Sequence, residues 1–269
     1  MLYIVATPIG NLEDITLRAL RVLGEVDFIA AEDTRRTRKL LSHYEIKTRL
    51  VSFHEHSPPE KHTWLLDALR DGKSVALVSD AGTPLISDPG AELVVKAAEQ
   101  GIPVTALPGA CAAVTALTLS GMAGAFVFVG FLSKKNAERK KQIERLGVSD
   151  MPSVVYESPH ALPDTLRALR EVLEDDRRVA VAKELTKIHE QVFRGRIGEA
   201  CETFGGNLKG EYVLIVDAAP SKNAVEVSDE EIMNALRGYI ASGMTKKDAA
   251  KAASDTFGIN RNRAYKLTL

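Results

Sequence analysis

The twelve residues Ser79-Asp80-Ala81-Gly82-Thr83-Pro84-Leu85-Ile86-Ser87-Asp88-Pro89-Gly90 constrain this chain more than any other stretch. They follow Ser74-Val75-Ala76-Leu77-Val78, a short apolar run that reads as a buried strand, and precede Ala91-Glu92-Leu93-Val94-Val95-Lys96-Ala97-Ala98, which reads as a helix. Two glycines, two prolines and two aspartates therefore fall where a strand ends and a helix begins. In an open α/β sheet, ligands bind outside the carboxyl ends of the strands. Glycine lets backbone approach a ligand closely, and proline holds a loop stiff. The loop reads as one wall of a small-molecule pocket. An ordinary strand-to-helix turn is the plainer alternative, and Asp88 reads equally well as a cap at a helix start.

The same alternation runs through the first half of the chain. Strands are expected over 2–6, 28–31, 49–53, 75–78 and 103–107, and helices over 16–23, 37–44, 61–70, 91–98 and from Pro108-Gly109 to about Leu119. Strands separated by helices imply a mainly parallel sheet. The small-residue break Ser120-Gly121-Met122-Ala123-Gly124 divides this lobe, 1–120, from a second one, 121–219. There, strands are expected over 126–130, 153–156, 179–182, 191–195 and 212–216, with helices over 137–146 and 163–173, a mixed α/β pattern. A polar linker from Ala218 to Glu226 leads to a helical module, 226–269. Ser228-x-x-Glu231 and Thr245-x-x-Asp248 read as N-caps. A helix from Thr245, a turn at Phe257-Gly258-Ile259 and a helix over 260–267 have a helix-turn-helix look.

Composition narrows the function. The 269 residues carry a formal net charge of −1, so no global basic field holds nucleic acid, and such contacts must be local. Two basic stretches qualify. One spans 133–145 with Lys134, Lys135, Arg139, Lys140, Lys141 and Arg145; the other spans 245–269 with Lys246, Lys247, Lys251, Arg261, Arg263 and Lys266. Cys111 and Cys201, the only cysteines, have no metal-ligand spacing, and His54, His56 and His62 are not spaced as a metal site, so no metal is expected. No apolar run reaches 18 residues and the N-terminus lacks the basic start of a signal peptide, which points to the cytoplasm and away from membranes.

Three further turns sit at strand ends: Thr7-Pro8-Ile9-Gly10, Ala30-Ala31-Glu32-Asp33-Thr34-Arg35 and Pro108-Gly109-Ala110-Cys111. Together with the 79–90 loop, and with Tyr156-Glu157-Ser158-Pro159-His160, Lys183-Glu184-Leu185-Thr186-Lys187 and Lys209-Gly210-Glu211-Tyr212, they resemble the tetrapyrrole-methylase superfamily of S-adenosylmethionine methyltransferases over nearly the whole chain. The resemblance is closest to the branch that acts on small-subunit ribosomal RNA. It implies a two-lobed α/β fold with S-adenosylmethionine in the interlobe cleft, a homodimer, and 2′-O-methylation of a cytidine ribose near the decoding centre of the assembled subunit. The chain departs from the branch at Ser133, commonly proline, and at Ala161, commonly arginine. A noncatalytic ribosome-assembly factor of the same fold and a methylase of a small tetrapyrrole are the rival readings.

The resemblance assigns the cofactor to Thr7, Pro8, Ile9, Gly10, Asp80, Gly82, Thr83, Ile86, Ala110, Cys111, Tyr156, Ala182 and Tyr212. Methyl transfer to a hydroxyl needs in-line geometry and an acceptor for one proton. Lys183 beside Glu184 is the first candidate, with Asp33, Glu157 and Lys187 behind it; a strand-end ion pair explains Lys183 equally well. Glu32 and Ser158 are also expected to face the cleft. Arg35, Arg36, Lys134, Lys135, Arg139, Arg261, Arg263 and Lys266 are expected on RNA phosphates, and the basic tail reads alternatively as a helical cap that aids dimerisation.

Overall fold

Short runs of Val, Ile, Leu and Ala build the first sheet. In the computed structural model, which describes residues 1–220, 228–257 and 259–268, β1 (Leu2–Val5) is followed by α1 (Leu17–Glu25), β2 (Phe28–Ala31), α2 (Thr34–His43) and β3 (Leu50–Ser52). Then come α3 (Pro59–Arg70), β4 (Val75–Val78), α4 (Ala91–Glu99), β5 (Val104–Leu107) and α5 (Ala112–Ser120). The strands lie in the order β3-β2-β4-β1-β5, and every pairing is parallel. β2 and β4 are buried throughout, as a parallel sheet covered on both faces requires. Leu2, Ile4, Ala30 and Leu77 pack on Leu65, Leu69 and Leu93; the alternate residues Val5, Ile29, Ala76 and Val78 pack on Val22, Leu23 and Leu41.

Helix α2 begins three residues earlier than its apolar spacing suggests. The Asp33 carboxylate accepts the Arg35 amide and caps the helix there, a local interaction that hydrophobic periodicity does not register.

The second sheet contains β6 (Val127–Phe131), α6 (Asn136–Val148), β7 (Ser153–Glu157), α7 (Leu162–Arg170), β8 (Arg178–Lys183), β9 (Gln191–Arg196), α8 (Ile197–Thr203) and β10 (Tyr212–Val216). Its order is β6-β7-β10-β8-β9; β6 and β7 are parallel and the other pairs antiparallel. On one face Val155, Val179, Val181 and Leu214 bury Leu162, Leu166, Leu169 and Ile197. On the other, Val154, Ala180, Ala182, Val213 and Ile215 meet Ala113 and Ala116 of α5. So α5, which precedes the 120/121 break, packs on the sheet that follows it. Its run of Ala, Val and Leu suits a helix held by apolar surface. Residues Met1–Asp217, both sheets included, form one compact unit. The seven-residue α8 is too short to show a period in the sequence.

The second unit, Ala218–Leu269, holds α9 (Asp229–Ala241), α10 (Lys246–Phe257) and α11 (Arg261–Lys266) around Ile232, Leu236, Ala249, Ala250, Ala253 and Ala264. The alanines let the helices approach closely. Ser228 and Glu231 form a reciprocal capping box, and the Asp248 amide donates to the Thr245 hydroxyl. The linker from residue 221 to Glu226, the expected module start at 226 and Gly258 of the expected turn lie outside the described residues. None of the described helices is long and apolar enough to cross a membrane.

Leu166, fully buried between α7 and the second sheet, provides a test of this packing. Leu166→Ala is expected to cost about 2–5 kcal/mol in denaturant unfolding. Val148→Ala, at an exposed helix end, should stay within about 0.5 kcal/mol of the parent.

Candidate active site in the interlobe cleft

Backbone pairing draws the loops at the carboxyl edge of the first sheet together. Thr7 and Gly82 exchange both main-chain hydrogen bonds, each 2.9 Å, and form an isolated antiparallel bridge. The buried Thr7 hydroxyl donates to the Ser79 carbonyl, and the Thr83 hydroxyl donates to the Ala110 carbonyl at 3.0 Å. The loops after β1, β4 and β5 thereby become one surface. Gly82 has φ +85°, and a Cβ there would lie 3.2 Å from Ile9 Cγ2. Leu85 and Ser87 adopt φ of 71° and 68° without being glycine, a cost of about 1–3 kcal/mol each that points to function. Ile86 stands between them, partly exposed toward the cleft.

Opposite this surface lies the second sheet, and three close contacts hold the two together. A Cβ on Gly10 would sit 2.5 Å from Lys187 Cγ, 2.7 Å from Thr186 Oγ1 and 2.8 Å from the Leu185 carbonyl. Gly130, at a bulge in β6 with φ +70°, leaves the same kind of space for the Ser87 hydroxyl. The Ala113 amide donates to the Tyr156 hydroxyl at 3.1 Å; burial pushes that phenol up to about 12, so it stays protonated. Between the lobes is a cavity of about 440 Å³, within the range of small-molecule sites.

The cavity wall carries five carboxylates, Glu32, Asp80, Asp88, Glu157 and Glu211, against one guanidinium, Arg36. Asp80 accepts the Asp33 amide at 2.9 Å and faces Arg36 at 3.6 Å. Burial raises Asp88 to about 6, with Glu32 and Asp80 adding repulsion. Glu32 is raised as well, again by burial first and then by Asp80. Glu157, 6% exposed, accepts the Thr165 hydroxyl and the Ser158 amide. Such a wall suits a ligand bearing positive charge together with flat apolar surface, which Ile9, Ile86, Tyr156 and Leu185 would cover. Among the described residues no group of three or more His, Cys, Asp or Glu is placed to hold a metal ion.

Of the residues expected on the cofactor, the cavity brings together Ile9, Asp80, Gly82, Thr83, Ile86, Cys111, Tyr156 and Tyr212. Thr7 and Pro8 face an adjoining recess of about 170 Å³ shared with Arg36 and Asp80. Ala110 offers its carbonyl to Thr83, Gly10 serves the lobe contact, and Ala182 is fully buried against α5. Glu32 and Ser158, expected at the cleft, line the wall, and Ser87 and Asp88 join them there; which of these side chains come together is set by tertiary packing.

The expected catalytic groups separate. Glu157 lines the cavity. Lys183 shares the outer face of β8 with Val179 and Val181, because successive strand residues alternate sides, and it is absent from the wall. Lys187 Nζ donates to Glu184 and Glu211, each at 2.9 Å, and the Glu211 amide donates to Glu184. These two former candidates brace the loop beneath Gly210. Asp33 is tied to Arg35, whose guanidinium holds that carboxyl at about 2, too weak a base for proton abstraction.

The RNA candidates also divide. Arg139 turns inward and donates to Thr165 Oγ1 at 2.7 Å, so it supports Glu157 through one hydroxyl. Arg263 is paired with Asp229 at 2.7 Å. Lys134, Lys135, Arg35, Arg36, Arg261 and Lys266 are exposed. Ser133 uses an amide that proline would lack, donating to Gln142 Oε1 at 2.7 Å.

Two tests follow from this geometry. Gly10→Ala should lower Tm, since neither Thr186 nor the Leu185 backbone can yield by the ångström required; differential scanning calorimetry reads the loss. Asp88 is raised in the folded state, so ionising it there disfavours folding, with the penalty growing between pH 4 and 6 and constant above. Asp88→Asn should therefore raise Tm more at pH 7.5 than at pH 5.

Known proteins place the chain. The family model described as Tetrapyrrole (Corrin/Porphyrin) Methylases matches residues 1–201. A Synechocystis sp. protein named Ribosomal RNA small subunit methyltransferase I is 44% identical over 271 residues, covering 100% of this chain and 97% of its own. The Haemophilus influenzae protein of the same name is 45% identical over 274 residues, covering 100% and 96%. A crystal structure of uroporphyrin-III C-methyltransferase from Thermus thermophilus, complexed with S-adenosyl homocysteine, superposes with a TM-score of 0.57 at 18% identity, over 80% of this chain and 96% of that one. The chain belongs to the tetrapyrrole methylase family, in the branch formed by the ribosomal RNA small subunit methyltransferases I.

Proposed function

We propose that this protein transfers the methyl group of S-adenosylmethionine to the 2′-hydroxyl of a cytidine ribose in small-subunit ribosomal RNA, near the decoding centre. One observation carries the reading: an acid-walled cleft between two α/β lobes, in a chain that matches proteins named for ribosomal RNA methylation along its full length. The residues present fit the cofactor. The carboxylates of Asp80 and Glu32 suit a ligand with an ammonium and a sulfonium, whereas they would repel the phosphates of a nucleotide cofactor. Gly82, Thr83, Ala110 and Cys111 offer a close backbone surface for a flat base, and Ile9, Ile86, Tyr156 and Tyr212 its apolar walls. When bound, the sulfonium supplies an electrophilic methyl group, so the protein's task is mostly alignment.

The ribose hydroxyl must lose a proton. Asp88 is the proposed acceptor: it lines the cavity, is half-buried, and burial raises its carboxyl to about 6, which makes it a better base than an ordinary aspartate. Glu157, fixed by Thr165 and the Ser158 amide, is the proposed hydroxyl orienter. Arg35 and Arg36 beside the cleft, Lys134 and Lys135 before α6, and Arg261, Arg263 and Lys266 in the helical unit are assigned to RNA phosphates, with the helical unit as an RNA-contact module. A homodimer and a cytoplasmic location, both implied by the family resemblance, complete the proposal.

The test is methyl transfer from labelled S-adenosylmethionine to assembled small subunits, to free ribosomal RNA and to a tetrapyrrole, with ribose methylation mapped at nucleotide resolution. Methylation of one cytidine ribose in subunits is expected. Transfer to the tetrapyrrole alone, or to nothing, would overturn the reading.

Two expectations concern the chemistry. In the parent enzyme, kcat/KM for S-adenosylmethionine should fall as pH drops through about 6, where Asp88 gains its proton. Asp88→Asn should lower turnover on the order of 10²–10⁴-fold and flatten that acid limb. Lys183→Met, altering a side chain off the cavity wall, should leave turnover within a few-fold of the parent.

A further inference from the structure

Phe131 is the last residue of β6, and 58% of it is exposed, although it belongs to the cavity wall. Its ring meets Tyr156 at 5.5 Å between centroids with the planes 64° apart, and Tyr156 meets Phe128 at 5.2 Å. Tyr156 is itself pinned across the cleft through the Ala113 amide. Three aromatic rings thus run from the lobe core to the mouth of the cavity, and the outermost presents an open apolar surface to solvent. Exposure alone would not set this ring apart, since Leu17 and Ile188 are more exposed still; its place on the cavity wall does, because aromatic faces stack well on flat π systems.

The surroundings specify which flat system fits. Lys134 and Lys135 follow three and four residues later, both exposed, and Arg36 stands on the cavity wall contributed by the first lobe. Ser158 and Pro159 line the same cavity. The backbone surface of Gly82 and Cys111, where we place the cofactor, belongs to the first lobe, whereas Phe131 belongs to the second. A flat π system linked to negative charge, approaching from outside, fits an apolar ring with cations beside it. An unstacked nucleotide has this chemistry, since each base has a π face and each link a phosphate.

We propose that Phe131 is the platform on which the base of an unpaired RNA nucleotide stacks, with Lys134 and Lys135 on the adjoining phosphates, so that the ribose is presented to the cleft. The inference rests on the proposed RNA methylation and adds to it that the target nucleotide must leave its stack before reaction.

The experiment compares the full-length parent with Phe131→Ala, Phe131→Leu and Phe131→Trp. It measures KM and kcat for assembled small subunits, S-adenosylmethionine affinity by calorimetry, and oligomeric state by sedimentation. Phe131→Ala should raise KM for subunits on the order of ten- to a hundredfold with cofactor affinity unchanged. Phe131→Leu keeps the bulk without the π face and should be nearly as impaired, whereas Phe131→Trp should be restored and its fluorescence quenched on binding subunits. An equal loss of cofactor affinity would make Phe131 part of the cofactor site and overturn the proposal. A change in oligomeric state would overturn it in favour of a subunit contact, and an unchanged KM in all three variants would overturn it outright. If the parent methylates no small-subunit RNA, the underlying functional reading fails; if the parent is active and all three Phe131 variants match it, the platform alone fails.

Discussion

The pair of backbone hydrogen bonds between Thr7 and Gly82 is the constraint on which the cleft depends. In a parallel sheet the loops at the carboxyl edge have no reason to touch, because each strand ends with its backbone groups pointing along the ladder. Joining the first and fourth strands' loops by a two-bond bridge removes that freedom. It fixes Ile9 above Gly82, places the Thr83 hydroxyl on the Ala110 carbonyl, and leaves 83–90 as a short arch whose strained Leu85 and Ser87 hold Ile86 toward the cavity. Glycine at 82 follows directly, since the bridge requires φ +85° with Ile9 close by.

Charge is sorted by location. The chain as a whole is near neutral, yet the cavity wall is acidic while α2 and the start of α6 are basic. Inside, burial first and mutual repulsion second raise Asp88 and Glu32. Outside, Arg35, Lys134 and Lys135 sit in water, where salt screens any single ionic contact.

Several charged side chains that look like ligand contacts are instead supports. Arg139 reaches Glu157 through Thr165, and Lys187 clamps Glu184 to Glu211 beneath Gly210. Each arrangement fixes a backbone segment or a carboxylate on the cavity wall without touching the cavity with its own cation. The same division separates the two halves of Lys183-Glu184-Leu185-Thr186-Lys187: Leu185 lines the cavity, while Lys183 lies on the far face of its strand.

Local physics made much of this protein legible from its sequence. Most strands follow from apolar runs and most helices from their spacing, the short α8 excepted, and the Ser228 and Thr245 starts from capping chemistry, because each is decided within a few residues. The turns that carry the family resemblance, Gly82 among them, were legible for the same reason. Eight of the cofactor-side cavity residues were legible in the sequence, but only the tertiary structure decided how the charged groups are divided between cavity and support, because that depends on long-range packing. Strand alternation sent Lys183 away from the cavity, the pairing with Arg35 withdrew Asp33, and the meeting of the loops after β2 and β4 brought Glu32, Asp80 and Asp88 together. Tertiary packing also moved α5 onto the second sheet, since the surface that buries Ala113 and Ala116 is built from Val154, Ala180, Ala182, Val213 and Ile215, far later in the chain. Contacts across such distances depend on how the sheets face each other, and no local pattern encodes that.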